Sequence, residues 1–187
     1  MKKYILIAGV NGAGKSTLYH SLQELQDMPR VNTDEILKQF GGKWNDSKDV
    51  IKAGKIAVEK ISECFQKGIS FNQETTLCGK SIIQNIKRAK EAGFSVEIHY
   101  VGVDSVELAK ERVHHRVLQG GHGIPDADII RRYVESFENL SKIADAVDEL
   151  TFYDNTEYFE MVAVYHKGIP IFKKDDMPRW FDNVNIR

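Results

Sequence analysis

The sequence predicts an α/β fold: a largely parallel sheet covered by helices on both faces, with a β-hairpin near the C-terminal end. Three observations carry that prediction. The apolar run Tyr4 to Ala8 ends in a glycine-rich turn, and Leu18, Leu22 and Leu25 follow at helical spacing, giving strand, turn and helix in succession. Strand-like and helix-like segments then alternate, as they do where crossover helices connect parallel strands. Finally, Val162 to Tyr165 and Ile169 to Phe172 flank His166-Lys167-Gly168, a turn between two strands.

Taken in order, Arg30-Val31 reads as a short second strand, and Asn32-Thr33-Asp34-Glu35 opens a short helix. Val50, Ala53, Ala57, Ile61, Cys64 and Phe65 mark the inner face of a longer helix from about Asp46, closed by Gly68. Ile69 to Gln73 is the expected third strand. Ile82, Ile83, Ile86 and Ala89 define a helix stopped at Gly93, and Val96 to Val103 supplies a β-branched fourth strand. A helix from Ser105 to about Leu118 runs into Gly120 to Pro125, which is too rich in glycine to be regular and is the expected mobile loop. Ile130, Tyr133, Phe137, Leu140, Ala144 and Val147 line the next helix, before a fifth strand at Leu150 to Tyr153. In such a sheet ligands gather at the carboxyl ends of the strands.

The 187 residues suit one domain, with a lid region at about 112–132 and the hairpin at about 161–173. A formal net charge of -1 provides no overall positive field, so nucleic acid is not an expected partner. The apolar stretch at the N-terminus is too short for a signal peptide core, and no segment is expected to enter a membrane. Cys64 and Cys78 are two thiols without a disulfide framework, which points to the cytoplasm.

Gly9-Val10-Asn11-Gly12-Ala13-Gly14-Lys15-Ser16-Thr17 matches the phosphate-loop pattern of P-loop NTPases, here of the nucleotide-kinase-like kind. The chemistry explains the residue types. Gly9, Asn11, Gly12, Ala13 and Gly14 let successive backbone N–H groups curl around an anion, Lys15 reaches the β- and γ-phosphates, and the Ser16 hydroxyl ligates magnesium. Thr17 continues the motif into the helix, whose N-terminal end favours negative charge. ATP and Mg2+ are the implied cofactors. A chance glycine-rich turn would not need both the preceding strand and the following helix.

A kinase also needs a group that orients and deprotonates the attacking hydroxyl. Asp34 beyond the second strand and Glu74 at the end of the third are the candidates. Asn32 and Glu35 are spaced like a capping box, so the Asp34 cluster also reads as a plain helix start. Glu74 finishes an apolar strand, where a carboxylate is costly unless paired, ligating or solvated. Thr75 and Thr76 read as caps or as hydroxyl ligands. Arg112 and Arg116 share one helix face with no acid three or four residues away, which leaves them for an anion or a tertiary partner. Arg131 and Arg132 have Asp128 and Glu135 at salt-bridge spacing, yet one of the two is expected to stabilise the transferring charge. His114, His115 and His122 fit no zinc signature and read as surface or loop residues. Trp44 and Trp180 read as substrate platforms or, more commonly, as packing residues. Asp154-Asn155 lies after the fifth strand, near an adenine or in a simple turn.

The ordered set Gly9 to Thr17, Val31 to Ile36, Glu74 to Leu77, Arg112 to Val117, Gly120 to Pro125 and Tyr153 to Asn155 resembles the zeta toxin family of P-loop kinases, over roughly the first 155 residues. The resemblance implies ATP-dependent phosphorylation of a hydroxyl, in the best-known members on UDP-N-acetylglucosamine. It assigns Lys15 and Ser16 to ATP and magnesium, Asp34 to the acceptor base, and Glu74 and Thr76 to acceptor contacts. It makes Arg116 and one of Arg131 or Arg132 a phosphate clamp. It also brings in an antitoxin protein as partner. This chain is shorter than the plasmid-borne toxins, so parts of their sugar-nucleotide pocket are expected to be missing. A kinase of another small metabolite, such as a sugar acid or nucleoside, would use the same base. Against a switch or motor ATPase stand the missing Asn-Lys-x-Asp motif and the lack of a strand ending in Asp-Glu.

Overall fold

The computed structural model describes residues 1–186. A seven-stranded sheet runs in the order β2-β3-β1-β4-β5-β6-β7, with β1 Lys3–Ala8, β2 Arg30–Val31, β3 Phe71–Thr75, β4 Ser95–Gly102, β5 Glu149–Asp154, β6 Glu160–His166 and β7 Ile169–Lys173. The first five strands are mutually parallel, whereas β6 and β7 join antiparallel as the expected hairpin. The helices are α1 Lys15–Ser21, α2 Gln23–Gln26, α3 Thr33–Gln39, α4 Ser47–Lys67, α5 Lys80–Glu91, α6 Val106–Leu118 and α7 Asp126–Ile143.

The sheet is buried on both faces because successive side chains of β1 enter opposite cores. Tyr4, Leu6 and Ala8 pack with Ile61, Phe65, Ile86 and Leu140 on one side. Ile5 and Ile7 pack with Leu18, Val101, Ala109 and Val113 on the other. β1 lies between β3 and β4, and the phosphate loop opens where β1 stops.

Three departures from the expected elements bear on the site. The third strand begins at Phe71, not Ile69, because the preceding residues close α4. Left-handed Gly68 donates to Phe65 O at 3.3 Å and Ile69 N to Cys64 O at 3.0 Å. Glu74 and Thr75 therefore lie inside β3, in register with Ile7 and Ala8. The first helix breaks at Leu22, whose backbone is extended. Beyond the hairpin, a 3-10 turn at Arg179–Asn183 folds Trp180 back into the core, where it is 1% exposed and ringed by Tyr100, Phe137 and Phe152. Gly102 makes that possible: a Cβ there would come within 2.3 Å of the indole.

Candidate active site

The phosphate loop links β1 to α1 by a path that its glycines permit. Gly12 and Gly14 have φ of 82° and 101°, backbone conformations that side chains resist. A Cβ on Gly14 would also meet Asn155 Nδ2 at 2.3 Å. That amide donates to Ala13 O at 2.8 Å, so the loop after β5 braces the phosphate loop. Lys15 is buried, and its ammonium donates to Gly9 O at 2.9 Å and Val10 O at 3.1 Å. Burial lowers its pKa, partly offset by the carboxylates of Glu74 and Asp34. Ser16 and Thr17 stand exposed in the first turn of α1.

The arginines of α6 part company. Arg112 donates to the carbonyls of Asn155 at 2.7 Å and Thr156 at 3.0 Å. Two backbone acceptors occupy its fork, so it takes the tertiary-partner alternative and secures the brace. Arg116 instead grips the glycine-rich loop, its Nε donating to His122 O at 3.1 Å.

Arg131 and Arg132 are likewise told apart. Arg131 is exposed and bonds Asp128 at 2.9 Å and Glu135 at 2.8 Å, the surface pairs that its spacing allows. Arg132 reaches across to Asn11 of the phosphate loop, donating to its side-chain oxygen at 3.1 Å. The helical wheel decides between them: adjacent residues point about 100° apart, and only the face of α7 turned toward β1 sees the loop.

Asn32 caps α3 by accepting from the N–H groups of Asp34 and Glu35, at 2.8 and 3.2 Å. The capping box is only half made, since Glu35 turns to Arg30 at 2.9 Å. Asp34 is thereby spared the capping task. Its Oδ2 accepts from His122 Nε2 at 2.9 Å. Burial acts to raise its pKa, but the His122 hydrogen bond and the charges of His122, Arg116 and Lys15 outweigh burial and hold the carboxyl below the usual aspartate value. Glu74 is paired, accepting from Arg30 at 2.5 Å and from Asn32 Nδ2 at 3.0 Å.

One cleft of about 730 Å³ is lined among others by Asn11, Lys15, Asp34, Glu74, Thr76 and Arg132, whereas Arg112 and Arg116 stand behind its wall. Thr76 arrives there on a tight turn in which buried Leu77 takes a φ of 61°, unusual for a residue with a branched side chain. That turn is held by Leu77 N donating to Thr75 Oγ1 at 2.9 Å and by Asn139 donating to Leu77 O at 2.9 Å.

Sequence reasoning missed two lining residues. His122 was expected as a surface or loop histidine; it does lie in a loop, but is largely enclosed, at 18% side-chain exposure, between Asp34 and Arg116. Trp44, for which packing was the commoner of two expected roles, forms part of the cleft wall, 48% exposed. The glycine-rich loop beside them is seated: Gly121 N donates to Arg116 O at 2.9 Å. A side chain at Gly121 would strike Arg116, at 2.6 Å from its Cγ. The Gly-Gly-His spacing was the available signal, since glycines that let a loop lie flat on a helix also fix where the intervening side chain points.

No helix among the described residues is long and apolar enough to cross a membrane. A protein of Haemophilus influenzae without an assigned activity is 37% identical over 131 residues, 70% of this chain and 92% of its own length. Among solved structures, the AvrRxo1-ORF1:ORF2 complex superposes with a TM-score of 0.76 at 15% identity, over all of this chain and 65% of that one. The same pair determined with ATP gives 0.64 at 15%, over 92% and 60%. This chain thus spans less than two thirds of the AvrRxo1 chain. The PezAT toxin-antitoxin system of Streptococcus pneumoniae gives 0.62 at 19%, over 85% and 71%. At such identities these structures speak to the fold, a P-loop NTPase sheet with its helices. A family model described as an AAA domain, AAA_33, matches residues 5–140, and the chain belongs to that family of P-loop proteins.

Proposed function

We propose that this chain is an ATP-dependent kinase that transfers the γ-phosphoryl group to a hydroxyl of a small acceptor. One observation carries the reading: the Asp34 carboxylate shares a single cleft with Lys15 and Arg132, a base opposite the cations that receive a triphosphate. The loop fits ATP through its left-handed glycines and Lys15, and Ser16 would hold magnesium together with the phosphates. ATP-magnesium, when bound, supplies the transferable phosphoryl group and neutralises part of its charge.

The rest of the chemistry belongs to the chain. Asp34, ionised, accepts the hydroxyl proton as the acceptor oxygen bonds to the γ-phosphorus and the bridge to ADP breaks. Lys15, Arg132 and Arg116 surround the region in which charge accumulates on the moving group. The glycine-rich loop and Trp44 line the same cleft. The zeta toxin resemblance supports UDP-N-acetylglucosamine as acceptor.

A second acceptor class is favoured by the wall of the acceptor half, where Arg131 is spent on Asp128 and Glu135 and Glu74 on Arg30. With its cations engaged, that half suits a hydroxylated acceptor of low charge, such as a sugar or nucleoside. Enzyme and ATP incubated with UDP-N-acetylglucosamine, and separately with a panel of sugars, sugar acids and nucleosides, tests both readings. A species heavier by one phosphoryl unit, lost in Asp34→Asn, is the expected product by mass spectrometry. Phosphate release without any phosphorylated acceptor would turn the reading toward a plain ATPase. Both AvrRxo1 and PezAT are known as two-protein systems, which supports a companion antitoxin; a tagged chain copurifying with one defined small protein is the result to look for.

A further inference from the structure

His122 occupies a position that the proposed chemistry has not yet used. It sits in the loop between α6 and α7, and its Nε2 lies 2.9 Å from Asp34 Oδ2 and 3.3 Å from Arg116 Nη2. One ring nitrogen cannot both donate to a carboxylate and accept from a guanidinium. Arg116 carries only donors, and the ionised Asp34 accepts only, so Nε2 bears the proton and gives it to Asp34. Arg116 is held by a separate bond, Nε to the His122 carbonyl at 3.1 Å. One residue therefore ties the acceptor side of the cleft to the arginine beside the phosphates.

We propose that His122 is a positioning residue for Asp34: its ring N–H pins one carboxylate oxygen, leaving Oδ1 to receive the acceptor proton, while its carbonyl holds Arg116 in place. This rests on the reading of Asp34 as the base. The charged groups that act on Asp34 are His122 from the loop, Arg116 from α6 and Lys15 from α1. Glu74 and Arg132 complete the set of charges around Lys15. A carboxylate that must rotate to find its substrate loses part of the advantage of preorganisation, and a charge-assisted hydrogen bond is strong enough to prevent it. Gln is the conservative replacement, because its amide also presents an N–H donor at the end of the side chain.

The test uses the full chain with two probes, UDP-N-acetylglucosamine and water, the latter read as background ATP hydrolysis, together with carbon-13 NMR titration of the Asp34 carboxyl. In His122→Ala the carboxyl is expected to titrate at higher pH than in wild type, and turnover to fall about tenfold or more with KM for ATP within about twofold. His122→Gln is expected to recover most of the rate. A His122→Ala protein whose Asp34 titrates as in wild type, or whose turnover stays within about threefold, overturns the proposal. Asp34→Asn separates the two readings. If that variant turns over normally, the base assignment fails and this inference with it. If it is inactive while His122→Ala is unimpaired, only the role of His122 is lost.

Discussion

Asn155 donates its side-chain amide to Ala13 O at 2.8 Å, and Arg112 in turn holds the Asn155 carbonyl at 2.7 Å. The phosphate loop is thus braced by the turn after β5, and its geometry depends on a residue far along the chain. Replacing Asn155 by Ala removes one neutral hydrogen bond, worth about 0.5–1.5 kcal/mol, or roughly 2–10-fold in affinity. ATP binding by calorimetry should weaken by that amount, with little change in acceptor affinity. Gly14→Ala should be worse, since it adds a methyl where the amide lies and forces a left-handed backbone on alanine.

Arg132 and Arg131 are neighbours with opposite surroundings, and their alanine variants should differ sharply. Arg132 is held toward Asn11 of the phosphate loop, and on the proposed kinase reading its loss should cost about 10³-fold or more in turnover. Arg131 makes only exposed pairs, worth about 0–1 kcal/mol, so Arg131→Ala should stay within about fivefold of wild type. Single-turnover rates at saturating ATP measure the contrast; equal effects would mean that Arg131, which also lines the cleft, acts on the transferring group as Arg132 does.

Asp148 ties β4 to the end of α5, accepting from Lys90 at 2.7 and 2.8 Å and from Val96 N at 2.8 Å. Burial tends to raise its pKa, but the Lys90 hydrogen bond, the Val96 N–H and the charges of Lys90 and Lys167 prevail and depress it. A carboxyl with a depressed folded pKa stabilises fully above its unfolded value near 3.8, and that contribution fades as pH falls through the folded value. Asp148→Asn should therefore cost about 1–2 kcal/mol at pH 7 in urea unfolding, and the gap should narrow toward pH 3.

Trp180 fills the space left by Gly102 and donates its indole N–H to Asp154 Oδ1 at 2.7 Å. Its truncation to Ala should cost about 3–5 kcal/mol, through the cavity and the loss of one of two donors to Asp154 Oδ1, the Thr156 hydroxyl at 2.7 Å remaining. Gly102→Ala should destabilise from the opposite side, by overpacking at about 1–3 kcal/mol. Thermal unfolding of both, alone and combined, checks the contact: the double variant should lose less than the sum, because the added methyl enters the space the indole has left.

How much of this was legible in advance follows from where the information is stored. The phosphate loop is local: Gly9 to Thr17 fold over a few residues, so their order along the chain is enough to place nine of them and the helix that follows. The alternation of strands and helices is nearly as local, carried by apolar spacing, and it led to the parallel sheet and the hairpin. The start of β3 was misplaced because Ile69 is as apolar as a strand residue, while its backbone N–H is committed to Cys64 of the preceding helix.

Long-range pairing supplied the rest. Arg112, Arg116, Arg131 and Arg132 carry the same guanidinium, and their neighbours in sequence do not say which meets a carbonyl, a loop, a carboxylate or Asn11. The roles diverge because β1, α6 and α7 converge at one end of the sheet and present different faces there. For the same reason Asp34 was nameable as a candidate from its position after β2, whereas its partner His122, 88 residues later, was not. Residue types and local spacing determine which chemistry the chain holds; which side chains share a cleft follows from the crossing of elements, since burial and charge act through space and not along the backbone.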